Sequence, residues 1–477
     1  MQLVAYGEQD LYLTGNPQMT HFKSIYKRHT NFAMEYIELQ FNRKPEMNST
    51  TESILEVKIG RYGDLLHDMY LVFDLPALFC NSDEPVSWVD QVGNRIINYV
   101  DIRIGSSFID RTYGDWLSVW SELTMTDAKR RAYLNMIGHD PALLNPYIYT
   151  TTTMQWTPPK RLYIPLNFWF CLDPGLAIPL VALQYDEIFL SFHLNPLNSL
   201  IKIGSPYVSP AFLLSNDASL STFNQNLYAI LMANQVDAYS IFDRYVPYYA
   251  QNIYCIANFI FLDEDERRKF SQISHEYLIP TLQHRLFDGL RPGPNNCDLR
   301  TLSNPVKEMV MTLRRSDIVT NYNQAMNYTL QPYVDNYFYY IDKNQVRQIP
   351  YQVDPEITAI NANPTLQSYM INLIQQYAVG PYSTTESINA NFPNYVDILQ
   401  SMRLLINGNE RQLSLDRAFY AGVQQFKYHS RGTRPGIYPF QFGLRPEMNQ
   451  PSGTCNFSRL SRVDLQVEII QNSDNID

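Results

Sequence analysis

Four clusters of side chains have types and spacings that chemistry could use. Asp64, His67 and Asp68 bring two carboxylates and an imidazole close together, as a metal site would require. They also stand immediately before the apolar run at 68–75, and a polar turn leading into a strand accounts for them better. His275-Glu276 has no second histidine one helical turn on, so the H-E-x-x-H zinc pattern is not formed. Asp263, Asp265 and Glu266 suggest a cation site, but Arg267, Arg268 and Lys269 follow at once. An acidic start and a basic end suit a helix dipole. Asp110 and Asp115 are a candidate carboxylate pair for a β-sandwich hydrolase, which would need the two to face each other across a cleft.

The wider search is negative. The chain has no G-x-S-x-G elbow, no Walker loop and no G-x-G-x-x-G. Its 8 histidines include no H-x-H pair of the kind a cupin metal centre uses. Its 5 cysteines are all more than 40 residues apart, with no zinc or disulfide spacing, so reduced, buried thiols are expected. No catalytic residue, cofactor or metal is expected.

The remaining signal is composition. Charged residues are 18% of the 477, against roughly 25% in an average protein. Tyrosine, at 35 residues, leads an aromatic fraction of 13%. Loss of charge with gain of aromatics marks the cores of protein interfaces. The net charge of −10 argues against a general or sequence-specific hold on nucleic acid. Basic residues gather near the N-terminus, at Lys23, Lys27, Arg28 and His29, interleaved with Phe22, Tyr26 and Phe32. Such a segment either grips a polyanion or an acidic partner, or lies along its own domain. N-x-S/T sequons stand at Asn48, Asn327 and Asn456, with Asn327 the best placed for a glycan because it falls in an inserted loop. No signal peptide or membrane-spanning run is expected.

The elements around these residues are mostly strands. Residues 54–60, 68–75, 96–104, 162–170 and 187–194 carry the two-residue alternation of half-buried strands. Helices are expected at 115–137, from the spacing of Trp116, Val119, Trp120 and Leu123, and at 263–285, broken at Pro280. The chain also resembles itself: 62–75 with 303–313, 99–117 with 400–420, and 162–194 with 437–469, at offsets of about 240, 300 and 275. Self-similarity at half the chain length indicates two copies of one fold. The expected division is an N-terminal segment 1–33, a first copy 34–205, a linker region 206–245 and a second copy 246–477 with a long inserted loop 315–398.

Four blocks are more distinctive. QLVAYGEQDLYLTGNPQMTHFKSIYKRHTNFA at 2–33, LYIPLNFWFCLDPGLAIPLVALQYDEI at 162–188, FLDEDERRKFSQISHEYLI at 261–279 and LRPEMNQPSGTCNFSRL at 444–460 resemble the major capsid proteins of nucleocytoplasmic large DNA viruses, in that family's order. The resemblance implies an all-β tandem double jelly roll: two eight-stranded antiparallel β-sandwiches with short inserted helices and long surface loops. It implies a homotrimer forming a pseudo-hexagonal capsomer, which meets neighbouring capsomers in an icosahedral virion shell built in the infected host cell cytoplasm. It places 1–33 at the capsomer base, where Lys23, Lys27, Arg28 and His29 would meet minor capsid proteins or an internal membrane, and the 315–398 loop outside, facing solvent, glycans or a host receptor. A minor capsid protein of the same fold and a glycan- or receptor-binding β-sandwich are the alternative readings.

Overall fold

Leu55, Val57 and Ile59 point inward and Ile54, Glu56 and Lys58 outward, so residues Ser53–Ile59 form the half-buried strand their alternation calls for. The computed structural model describes residues 7–43, 52–75, 78–80, 86–144, 147–148, 155–196, 199–203, 253–316, 319, 325–328, 398–411, 413–433 and 436–470. In the first half the principal strands are β1 (Phe32–Leu39), β2 (Ser53–Ile59), β3 (Leu65–Leu75), β4 (Ile97–Ile104), β5 (Ser107–Tyr113), β6 (Lys160–Pro165), β7 (Ile188–Leu194) and β8 (Ile253–Leu262). They form two antiparallel sheets, ordered β1-β8-β3-β6 and β2-β7-β4-β5. That order is an eight-stranded jelly roll. The two inner faces meet in one core, in which Leu55, Leu71, Val100, Leu190, Phe192 and Phe259 are almost completely buried.

The second half repeats this order. Strands β9 (Gly293–Asp298), β10 (Glu308–Thr312), β11 (Leu399–Ile406), β12 (Asn409–Glu410), β13 (Ile437–Gln441) and β14 (Val463–Ile469) form a sheet β9-β14-β11-β12 and a pair β10-β13. These match β2-β7-β4-β5 and β3-β6. Even the irregularity is duplicated. In the first copy the ladder skips Asn98 between Leu194↔Ile97 and His193↔Tyr99. In the second it skips Gln400 between Ile469↔Leu399 and Glu468↔Ser401. A bulge retained in both copies sets the same bend at the same place in each sheet.

Three expectations need correction. The boundary at 246 is wrong, because β8 lies between β1 and β3, bonded to both, and closes the first sandwich. Residues 206–245, outside the described residues, therefore interrupt the first copy instead of separating the two. The strand read at 162–170 stops at Pro165, and Trp169–Leu172 is a helical turn. Phe168, Trp169 and Phe170 are all buried, and three consecutive inward side chains are incompatible with a strand that has one face outward. The helices are shorter than expected. Residues 115–137 form α1 (Gly114–Thr124) and α2 (Asp127–Met136), parted where Met125 and Thr126 adopt extended backbone. The 263–285 helix is α3 (Glu264–Gln272) only, and it ends where Ile273 adopts extended backbone, well before Pro280.

Phe192 is fully buried and meets Phe41 edge to face, with ring centroids 5.5 Å apart. Phe192→Ala is expected to lower unfolding stability by about 3–5 kcal/mol, measured by denaturant titration. A loss under about 1 kcal/mol would mean that the core closes over the missing ring.

Candidate functional site

Two features of the surface bear on what this chain does: the N-terminal arm and the joint between the sandwiches.

Among the described residues, the arm from Gly7 to Asn31 is exposed throughout. Phe22 is 99% exposed and Tyr26 80%, while Lys23, Lys27, Arg28 and His29 are all solvent-facing. The arm therefore does not lie along its own domain. Its apolar character continues into the edge strand β1, where Phe32, Met34 and Tyr36 share one face and are about half exposed. A run of large uncovered apolar side chains ending in a strand edge that is unpaired among the described residues is a surface built to be covered.

The joint is built on α1. It starts at Gly114, where a Cβ would stand 2.1 Å from the Ile97 carbonyl oxygen and 2.2 Å from that of Asn94, so only glycine lets the helix approach β4 this closely. Val119 and Leu123 lie on one face with Trp116 and pack against Val310, Tyr328 and Ile437 of the second copy. Ionic contacts surround this apolar plug. Asp115 bridges Arg314 of the second copy at 2.8 Å and Arg95 of the first at 3.9 Å. Glu122, only 3% exposed, faces Arg130 at 3.1 Å and Arg431 of the second copy at 4.0 Å, and Arg431 reaches Asp127 at 3.0 Å. Lys307 lies over the Trp120 ring at 5.8 Å. The Leu282 amide donates to Asp110 at 3.2 Å, and burial pushes the Asp110 carboxyl up from 3.8 to about 6.

The other sequence candidates are explained by structure. Asp64 accepts the Leu262 amide at 2.8 Å and both guanidinium arms of Arg267, at 2.8 and 3.0 Å, fastening α3 to the first sandwich. His67 turns to the Phe170 carbonyl at 2.6 Å, and its far nitrogen lies 3.4 Å from Asp68. Asp263 caps α3 by accepting the Glu266 amide at 2.8 Å, and Arg268 pairs with Glu264 at 3.3 Å. His275 bonds the Phe270 carbonyl at 2.6 Å and stacks on that ring. Asp110 and Asp115 are not a working pair, since one holds a backbone amide and the other two arginines. Among the described residues no cluster of three or more His, Cys, Asp or Glu is arranged to hold a metal. Nor is any helix there long and apolar enough to cross a membrane. Asn327 is a correction: it is 1% exposed beside the buried Tyr328, leaving no room for a glycan in the folded chain. Asn48 and most of the 315–398 loop lie outside the described residues.

The Trp116–Val119–Leu123 stripe was legible as an amphipathic helix. Its partners Arg314, Tyr328, Arg431 and Ile437 had no local signal, because contacts between residues so far apart in the chain leave no periodicity in it.

Comparison with known proteins agrees with this division. Residues 20–263 match the family model for the major capsid protein N-terminus, and 266–476 that for the large eukaryotic DNA virus major capsid protein. The change of model falls just after β8. The chain is 30% identical to the major capsid protein of Phaeocystis pouchetii virus over 98% of its own length and 92% of that protein's. It is 28% identical to the major capsid protein of Paramecium bursaria Chlorella virus 1, over 98% and 86%. Among solved structures, the PBCV-1 virus capsid model superposes with a TM-score of 0.63 at 24% identity, covering 94% of this chain and 87% of that one. The Faustovirus major capsid protein gives 0.62 at 12%, covering 97% and 90%. Both share the double jelly-roll fold.

Two outcomes test the joint. Glu122→Ala removes the buried carboxylate that faces Arg130 at 3.1 Å and is expected to cost about 3–5 kcal/mol, while Arg431 keeps Asp127. The half-exposed Arg161–Asp74 pair, at 2.6 Å, is expected to be worth under about 1 kcal/mol in the same denaturant assay. The second outcome is pH-dependent. Asp110 binds its proton more tightly folded than unfolded, so its contribution is full at low pH and is lost as pH rises from about 4 to about 6. Asp110→Asn keeps an acceptor for Leu282, so at pH 8 it should stabilise the fold by up to about 3 kcal/mol and flatten the stability profile between those pH values. No gain at pH 8 would show that the carboxylate is solvated.

Proposed function

The chain belongs to the major capsid protein family of large eukaryotic DNA viruses, and from that premise we propose that it trimerises into a pseudo-hexagonal capsomer tiling an icosahedral shell. Its role is structural and not enzymatic, and its place is the virion. The observation that carries the proposal is the fixed pairing of two jelly rolls in one chain. Three such chains supply six sandwiches, and a closed threefold ring of them presents six corners to the lattice. The α1 joint supports this reading, because the angle between sandwiches must be constant for the ring to close.

We assign the exposed arm to the capsomer base. Lys23, Lys27, Arg28 and His29 meet acidic surfaces there, on minor capsid proteins or on the inner membrane side, while Phe22, Ile25 and Tyr26 enter apolar recesses of the partner. Assembly takes place in the host cytoplasm, where the reduced cysteines are at home. The outer loops around 315–398 meet glycans or a host receptor.

The experiment is assembly with and without the arm. Deleting residues 1–31 should leave a folded protein with unchanged melting behaviour. It should reduce incorporation into particles at least tenfold when co-expressed with the other virion proteins and viewed by electron microscopy. Normal particles from the truncated chain would remove the arm from the account. Reversing Lys23, Lys27 and Arg28 to glutamate should reproduce the defect if charge matters, and leave assembly intact if only the aromatic side chains do.

A further inference from the structure

The two copies carry equivalent helices after their four-stranded sheets, and the two differ in what covers them. In the first copy α1 begins after Tyr113, which faces Tyr99 of β4. In the second copy Asp416 faces Ser401 of β11, and a π-helical stretch Phe419–Gln424 follows, running on into an α-helical turn Gln425–Tyr428. The duplicated bulge makes Tyr99 and Ser401 counterparts. Four residues beyond each pairing a side chain enters that copy's own core, Leu117 in the first and Tyr420 in the second. Counted from the same point, Phe419, Val423 and Phe426 stand where α1 has Trp116, Trp120 and Leu123. Leu123 is fully buried in the joint, whereas Val423 and Phe426 are exposed, Phe426 to 90%.

The surface that α1 covers has a counterpart too. α1 rests on Val310 of β10 and Ile437 of β13, on the face of that pair turned away from the second core. In their ladder Val310 faces Pro439 and Thr312 faces Ile437, and in the first copy Val72 of β3 faces Tyr163 of β6 and Asp74 faces Arg161. Both ladders are followed by the same bond, from the Phe442 amide to the Lys307 carbonyl and from the Leu166 amide to the Met69 carbonyl, each at 3.0 Å. That register makes Val72 and Arg161 the counterparts of Val310 and Ile437. They lie on the outward face of the sheet, because Leu71, Phe73, Leu162 and Ile164 beside them fill the core. Val72 stands there between Tyr163 and Tyr254, both half-buried.

We propose that Val423 and Phe426 of one chain seat on the outward face of β3 and β6 of a second copy, at Arg161 and Tyr163, repeating between chains the contact that α1 makes within one. This rests on the trimeric capsomer proposed above and names the contact that would join its chains. A ring of six sandwiches has three joints within chains and three between them, and one head-to-tail contact repeated around the ring closes it. The chemistry of the two contacts differs. Asp115 and Glu122, which reach Arg314 and Arg431 across the internal joint, have Ala418 and Gln425 at the corresponding positions of the second helix. Gln425 is turned inward, donating to the Ile437 carbonyl at 2.9 Å. The acidic half of the ionic ring is therefore not repeated. Phe426 instead meets a guanidinium and tyrosine rings, the cation–aromatic and ring–ring contacts on which interface anchors rely.

The test uses the full chain and reads both oligomer mass and cross-linking. Val423→Asp with Phe426→Asp should leave the circular dichroism spectrum unchanged, because both side chains are exposed, and should raise the concentration at which trimers dissociate by about tenfold or more. Phe426→Cys combined with Arg161→Cys should give covalent dimers and trimers with a short bismaleimide, and neither single variant should. Arg161 is half-exposed, so its replacement leaves the fold in place. Trimers that are indifferent to the aspartates, or that give no covalent ladder with the paired cysteines, would overturn this contact and leave the trimer standing. A wild-type chain that stays monomeric at every concentration, alone and with the other virion proteins, would remove the trimer and this contact with it.

Discussion

One helix holds the molecule in its working shape. The α1 helix grows directly out of β5, is seated against β4 through Gly114, and presents Trp116, Val119 and Leu123 to the second sandwich. Each sandwich has its own core, so without this plug the two would be tethered domains free to reorient. The ionic ring around it fixes the rotation about the contact. Asp115 and Glu122, one turn-pair apart on the helix, each hold arginines from both copies. Apolar packing supplies the attraction, and the paired charges discriminate one orientation from its neighbours.

The duplication shows which features the fold itself needs and which belong to assembly. The four-stranded sheets agree in strand order, register and bulge between the copies. The copies differ in the arm before β1, the segment 204–252 between β7 and β8, and the long insertion before β11. A shell subunit needs a constant framework with variable edges, and tandem sandwiches allow the loops of adjacent corners to diverge without disturbing the joint. The low charge content is in keeping with such a subunit, since interface cores carry fewer charges.

Much of this was legible in the chain. Alternation found β2, β4 and β7, because one face of each is wet and the other dry. The self-similarity at three different offsets located the same strands that the structure superposes in order. The errors have physical causes. The mixed burial of β8 gives no simple alternation, so only its two hydrogen-bonded neighbours assign it to the first sandwich. Phe168, Trp169 and Phe170 continue an apolar run past Pro165, where periodicity does not separate a strand from a buried turn. The sequon at Asn327 specifies a modification chemistry but not exposure, and burial overrules it. The arm was recognised by its basic and aromatic residues, yet only the structure distinguished a segment packed on its own domain from one left uncovered.

The most direct test of the central claim is the mass of the purified chain in solution, measured by light scattering over a range of concentrations. A species at three times 55.5 kDa that persists on dilution is the result expected of a capsomer subunit. A chain that stays monomeric at every concentration, alone and with the other virion proteins present, would contradict it.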